Sequence, residues 1–265
     1  MTWTSRLAAR IPDKILVRAI SLVYARAEPE LGRLDDICGR GGVMVDVGAW
    51  YGPWSQRLAR RADRLVAIEP TSRHQVLRKT LPANAEVIQA AASDHAGTGE
   101  LWTAGRGDGA EGLSSMHKRD IHGGCITVPL IRIDDLALTG VKFMKVDVEG
   151  HELAVLCGAE VTIRRDWPRL VVEVETRIQA IDRILGLLGG WGYDGWVLDR
   201  RSWRPLAGFD LAGRQAATLR VANRGLARTS LWPYPRYLNT VLFVPGEGRY
   251  SRPPGEGSHT RLDAD

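Results

Sequence analysis

The stretch that most constrains this chain is Val43-Met44-Val45-Asp46-Val47-Gly48-Ala49-Trp50-Tyr51-Gly52, an apolar run that ends in an acid and then two glycines. Such a run reads as a strand buried on both faces, the kind that parallel sheets contain. The glycines let the backbone turn where a Cβ would obstruct it, and the segment beginning at Pro53 can open a helix. Strand, glycine loop and helix are therefore contiguous, which is how α/β folds present a backbone to a nucleotide-like ligand.

A second apolar run, Leu65-Val66-Ala67-Ile68, ends in Glu69-Pro70. A carboxylate at that strand tip is placed to accept from both hydroxyls of a ribose. The pattern Asp46-x-Gly48-x-x-x-Gly52 is not the dinucleotide fingerprint G-x-G-x-x-G, and no Lys-Ser or Lys-Thr follows it, which excludes a P-loop. It fits S-adenosyl-L-methionine better than NAD. A degenerate dinucleotide site and an ordinary turn without a ligand are the alternatives.

At 265 residues the chain can bury one substantial core, so length argues for a single catalytic domain with short additions. The formal charge is +5, but the basic residues are scattered and mostly Arg. That distribution reads as a solvated surface, with no nucleic-acid stripe. Cys38, Cys125 and Cys157 are odd in number and lack metal-ligand spacing, which argues against a disulfide framework or zinc knuckle and for a reducing, cytoplasmic setting. Charges at Asp13, Lys14, Arg18 and Arg26 interrupt the apolar residues of 11–27. The segment reads as an amphipathic helix packed on the domain, neither a signal peptide nor a membrane span.

The expected organisation is an N-terminal helical extension over residues 1–40, a catalytic domain over 41–245 and a flexible tail over 246–265, which is too poor in apolar residues to order itself. Strands are expected at 43–47, 65–68, 86–90, 141–147, 169–174, 196–198 and 237–244, with a helix at 178–188. Strands alternating with helical segments imply an α/β, doubly wound, mostly parallel seven-stranded sheet. Residues 104–124 are rich in Gly, Asp and Ser and are expected to form a lid. Residues 126–130 read as an extra strand, placed at an edge by Pro129.

Ligands of open α/β sheets bind at the carboxyl ends of the strands. Those ends are Asp46, Glu69, Ser93-Asp94, Asp147 and Glu173. For S-adenosylmethionine, Asp46 and Gly48 would lie under the methionine moiety, with Tyr51 and Gly52 completing the loop. Glu69 would hold the ribose, Asp94 would accept from the adenine amino group with Ser93 also contacting the cofactor, and Asp147 would stand by the transferred methyl. Asp94 as an Asx-turn cap is the competing reading.

The octapeptide Lys145-Val146-Asp147-Val148-Glu149-Gly150-His151-Glu152 supplies two routes for removing a hydroxyl proton. His151 can act as a general base near neutral pH. Asp147 and Glu173, both hard oxygen ligands, can hold Mg²⁺ and lower the hydroxyl pKa. A solvent-facing histidine at a helix start is the alternative for His151, and the helix dipole alone accounts for Glu149 and Glu152.

This octapeptide, followed by Leu156 and Gly158-Ala159, resembles the Lys-Ile-Asp-Val-Glu-Gly-x-Glu signature of the FkbM family of methyltransferases. Further matches in order are Val45-Asp46-Val47-Gly48, Ile68-Glu69-Pro70, Ala92-Ser93-Asp94, Leu113-Ser114-Ser115, Ile133-Asp134-Asp135-Leu136, Val171-Val172-Glu173 and the stretch from Asn239 to Pro245. The resemblance implies a Rossmann-like class I methyltransferase fold and O-methylation of sugars or natural products. Trp191, Tyr193, Trp196, Trp203, Trp232, Tyr234 and Tyr237 either line an acceptor site or pack a core.

The expected function is S-adenosylmethionine-dependent O-methylation of a sugar or glycoconjugate, such as a mannoside or rhamnoside of a bacterial polysaccharide or glycolipid. Tailoring of a macrolide and a non-catalytic cofactor-binding or RNA-associated role are the alternatives. The expected partner is a small-molecule or oligosaccharide acceptor, with no nucleic acid and no membrane span. The oligomeric state is open.

Overall fold

A computed structural model describes residues 12–104, 114–179, 181–222 and 236–246. The lead-in is α1 (Asp13–Ala27), a 3₁₀ turn (Pro29–Gly32) and α2 (Leu34–Ile37). Then β1 (Val43–Val47), α3 (Ser55–Leu58), β2 (Arg64–Ile68), α4 (His74–Thr80) and β3 (Ala85–Ile88) alternate. After these come β4 (Ala91–Ala92), β5 (Gly97–Ala104), β6 (His122–Ile131) and β7 (Val141–Val146), then α5 (Glu152–Cys157), α6 (Glu160–Asp166) and β8 (Arg169–Glu173). The chain continues through α7 (Ile181–Gly190), β9 (Tyr193–Asp199), β10 (Ser202–Pro205), α8 (Leu211–Ala222) and β11 (Thr240–Pro245).

The main sheet has the order β10-β9-β11-β8-β7-β1-β2-β3. Strands β8, β7, β1, β2 and β3 run parallel, whereas β11 lies antiparallel between β8 and β9. Alternation along each central strand feeds two cores, because successive side chains leave a strand on opposite faces. Val45, Val47, Val66, Ile68, Met144 and Val146 enter one cluster. Met44, Leu65, Phe143, Val171 and Leu242 enter the other, where Trp54 stacks on Phe143 with ring centroids 6.1 Å apart. Each such side chain contributes about 1.5–3 kcal/mol by leaving water.

The sheet has eight strands where seven were expected. The addition, β10, pairs with β9 through the two-residue loop Arg200-Arg201. Arg200 adopts a left-handed φ of 58° there, a conformation that Asn-Gly usually signals in a sequence. Residues 89–90 fall outside β3, and Ala91–Ala92 instead join a separate three-stranded sheet of order β4-β6-β5. Strand β6 is therefore central, which corrects the edge position inferred from Pro129. The two residues of β4 pair only with Leu130 and Ile131, so Pro129 stands beyond its reach. The segment expected as a lid is strand at both ends, in β5 and β6, while residues 105–113 lie outside the described residues, as does the tail from 247.

Helix α1 packs on the domain against α4, with Val17 buried and Asp13 3.2 Å from Lys79 Nζ. Among the described residues no helix is long and apolar enough to cross a membrane.

Candidate active site

The carboxyl ends of β1, β2, β7 and β8 meet above a buried lysine. Lys145, only 6% exposed, donates to Asp147 Oδ2 at 2.9 Å and lies 4.0 Å from Asp46 Oδ1. Burial alone would lower its pKa, but the carboxylates of Asp147, Asp46 and Glu28 outweigh that and raise it. Burial would likewise raise the pKa of Asp147, and the Lys145 charge reverses this and lowers it. Asp46 has no exposed surface and takes a hydrogen bond from Ser55 Oγ. It underpins the loop from below.

Asp147, Glu149 and Glu173 offer carboxylate oxygens that all lie within 4.8 Å of one another. Burial and the neighbouring Asp147 charge push Glu173 well above the usual carboxylate range, and a side-chain hydrogen bond joins it to Asp147. Asn239 Nδ2 donates to the other side of Glu173. Burial, then the Asp147 charge, lifts Glu149 to about 8. Three hard oxygen donors in this proximity suit a divalent cation such as Mg²⁺.

The glycine loop is fixed from both sides. Gly48 has φ 77°, and a Cβ there would lie 1.8 Å from the carbonyl oxygen of Asp147. Only glycine allows the β1 and β7 tips to approach this closely. Trp50 is also left-handed, at φ 52°, and donates its backbone N–H to Glu69 Oε2 at 2.9 Å. Glu69 is 4% exposed, and its Oε1 accepts from both the backbone and the hydroxyl of Thr71. Burial raises its pKa. Tyr51 packs edge-on to Trp50 and carries Arg73 5.3 Å above its ring. Gly52 closes the turn, donating its N–H to the Ala49 carbonyl at 2.7 Å.

His151 stands at the N-terminus of α5, half-buried, with Nε2 3.0 Å from Ser93 Oγ. Burial, then the His117 charge, lowers its pKa. This differs from a histidine facing solvent. Ser93 has no exposed surface and turns its hydroxyl to His151. Asp94 is exposed beside it. Glu152 is buried and accepts from the backbone N–H groups of Val148 and Gly150 at 3.0–3.1 Å. It is a loop brace, as its unassigned status in the sequence allowed.

Several further groups line the site, and of these only Ser115 falls in a motif matched in the sequence. Tyr24 and Glu28 arrive from α1 and its C-terminus, where the Tyr24 ring packs tilted against Trp50 with centroids 5.2 Å apart and Glu28 accepts from Trp54 Nε1 at 2.6 Å. Glu28, Lys145, Asp147 and Glu173 line one small pocket. Ser115 donates to the Glu149 carbonyl at 2.6 Å, and Arg119 reaches Glu149 Oε2 at 3.2 Å. Position along the chain separates these residues from the signature, so only the folded topology joins them.

The acid cluster predicts a pH dependence of stability. Burial lifts Glu28 from its ordinary 4.5 to about 7, and Glu149 lies near 8. The folded state thus binds more protons than the unfolded state between those values. Stability from these groups is complete below about pH 4 and is lost as pH rises through about 7 and 8. Thermal melts in chelator should move to lower temperature across that window, and Glu149→Gln should flatten the slope. A melting temperature that rises with pH in the wild type would contradict this electrostatic picture.

Of the two readings open for the aromatics of the C-terminal third, core packing holds for those of β9 and β10. Tyr193, Trp196 and Trp203 are buried core residues, and Trp191 packs against the core. Tyr193 donates to the Pro168 carbonyl at 2.9 Å and stacks on Trp167. Their sequence pattern is that of strands β9 and β10, whose inward positions need large apolar groups. Tyr237 lies near the end of β8, donating to Glu175 under Arg177. Trp232 and Tyr234 lie outside the described residues.

The family model of the Methyltransferase FkbM domain matches residues 46–194, more than half of the chain. No curated protein matches the sequence. Among solved structures the chain is similar to the methyltransferase FkbM from Methylobacillus flagellatus KT, at 18% identity and TM-score 0.46, over 77% of this chain and 43% of that one. It is similar to an rRNA methylase from Streptococcus thermophilus at 11% identity and TM-score 0.41, over 83% of this chain and 95% of that one. It is also similar to M. jannaschii TYW2 in complex with AdoMet at 13% identity and TM-score 0.36, over 83% and 74%. The chain thus spans less than half the length of the first of these structures.

Proposed function

The chain belongs to the FkbM methyltransferase family, and on that premise we propose that it is an S-adenosylmethionine-dependent O-methyltransferase acting on a hydroxyl of a sugar or glycoconjugate. The observation that carries this reading is the cluster of Asp147, Glu149 and Glu173 at the ends of β7 and β8, with the half-buried His151 on the loop that follows, held against Ser93. Attack by a hydroxyl requires a destination for its proton, and a positioned imidazole supplies one.

S-adenosylmethionine supplies an electrophilic methyl carbon when bound. The residues fit it. Glu69 Oε2 accepts one described hydrogen bond, from Trp50, so it keeps acceptor capacity for a ribose hydroxyl. Gly48, Tyr51 and Gly52 would form the floor and wall of the loop around the donor, with Asp46 bracing them. Asp94 is exposed and would accept from the adenine amino group, and Asp147 would flank the reacting centre. Asp147 and Glu173 would hold Mg²⁺, with Glu149 as a third oxygen ligand, and the ion would lower the pKa of the acceptor hydroxyl. The three free cysteines fit a cytoplasmic enzyme with a small-molecule or oligosaccharide acceptor.

Incubation with methyl-labelled donor over mannosides, rhamnosides and macrolides tests the proposal. A labelled methyl ether on a sugar is the expected product. Label on nitrogen alone, or on no acceptor despite donor binding, would overturn it.

Glu69→Ala should weaken donor binding by about 1.5–3 kcal/mol, the range for a hydrogen bond to a charged group. Calorimetry that finds an unchanged Kd would remove Glu69 from the ribose.

A further inference from the structure

We propose that Ser93 and Asp94 are positioning residues that fix the tautomer of His151, leaving Nδ1 as the nitrogen that takes the acceptor's proton; this rests on the methyltransferase reading of the site. The direction of one hydrogen-bonded chain carries it. Ser93 Oγ lies 3.2 Å from Asp94 Oδ1 and 3.0 Å from His151 Nε2. A hydroxyl has one proton, and an ionised carboxylate can only accept. Hydrogen bonds from His95 and Ser93 hold Asp94 below the usual carboxylate range, so it is ionised. The Ser93 proton therefore points to Asp94. Its oxygen then accepts, and Nε2 of His151 must carry the hydrogen. In the neutral ring this leaves Nδ1 with the lone pair.

The serine is held rigidly enough to impose that choice. Its N–H donates to the Ile131 carbonyl at 2.8 Å. Its own carbonyl packs so closely on Gly158 that a Cβ there would lie 1.9 Å away. Strand β6 and the α5–α6 junction thus clamp Ser93 from both sides, and its hydroxyl reaches His151 from a fixed backbone. The other groups around this histidine are His117, with ring centroids 5.8 Å apart, and His95, whose Nδ1 lies 2.6 Å from Asp94 Oδ1.

The chain also separates two roles that a strand-tip Ser-Asp pair would otherwise merge. Ser93 turns inward and serves the base, whereas Asp94, with a side chain 53% exposed, anchors the serine proton and retains Oδ2 for other partners. A backbone-clamped hydroxyl of this kind orients a catalytic histidine as a carboxylate does elsewhere, without adding a charge next to it.

Nitrogen-resolved NMR of the full chain, labelled with ¹⁵N in the histidine rings and recorded above the His151 titration, tests the proposal. His151→Gln identifies the signals. The expected wild-type pattern is a protonated Nε2 and an unprotonated Nδ1, with the Nε2 hydrogen protected from exchange. Ser93→Ala and Asp94→Ala should bring the two nitrogen shifts together and speed that exchange about tenfold, as expected for loss of one hydrogen bond. Asp94→Ala changes an exposed position and keeps the test alive should Ser93→Ala fail to fold. A wild-type ring protonated at Nδ1 would overturn the proposal. So would a ring whose nitrogen pattern and exchange are unchanged in Asp94→Ala. The spectrum is read without any methyl acceptor, so it remains decisive even if no acceptor in the panel is methylated. In an active enzyme, Ser93→Ala should lower kcat with an unchanged KM for the donor.

Discussion

His151→Ala is expected to lower kcat by roughly 10²–10⁴-fold, the usual contribution of a positioned general base, while the Kd for S-adenosylmethionine stays within about twofold, the scatter of a contact that is not made. The imidazole bonds to Ser93, and burial with the nearby His117 keeps its pKa below the ordinary value. A neutral, proton-accepting ring is therefore the prevailing form at neutral pH. Activity should hold at neutral pH and decline only as pH drops below the ordinary histidine range near 6.5. Chelation separates the base from the acids. If Asp147, Glu149 and Glu173 hold Mg²⁺, excess chelator abolishes turnover, donor binding persists, and Asp147→Asn mimics the loss. We expect both contributions to operate. Full activity in chelator, together with full activity of His151→Ala, would leave neither mechanism standing.

Lys145→Met is expected to destabilise the fold by about 3–5 kcal/mol, the range for stripping a buried charge of its partner. Lys145 Nζ is the cation between Asp147 and Asp46, and methionine fills similar volume with no charge. Both carboxylates would then remain in a buried setting without compensation. Urea denaturation reads the effect directly. Adding Asp147→Asn should recover part of the loss, because the two side chains are coupled and their effects should not add. A loss under about 1 kcal/mol, the scale of an exposed ion pair, would mean that water already screens the cluster.

The parts of this molecule that follow from local chemistry were legible. The run from Val43 to Gly52 encodes β1 and its turn because apolar alternation and glycine freedom act over a few residues, and Glu69, Asp147 and Glu173 stand at strand tips as the sheet logic requires. What failed to show depends on side chains that meet only after folding. Ser93 and His151 are far apart in sequence, and nothing local says that the serine faces inward. The tryptophans of β9 and β10 left two readings open in the sequence. Aromatic residues look the same in sequence whether they hold a sugar or fill a core, and here strand pairing through an Arg-Arg turn buries Trp196 and Trp203.

The span shared with the family begins at residue 46, yet Tyr24 and Glu28 lie before it and face the same acids as Lys145. One pocket is therefore walled from two sources. The strand tips supply Lys145, Asp147 and Glu173, while the segment ahead of the shared span supplies the Tyr24 ring and the Glu28 carboxylate. Exchange of that segment would leave the strand-tip groups in place behind a wall of different charge and shape, without rebuilding the sheet.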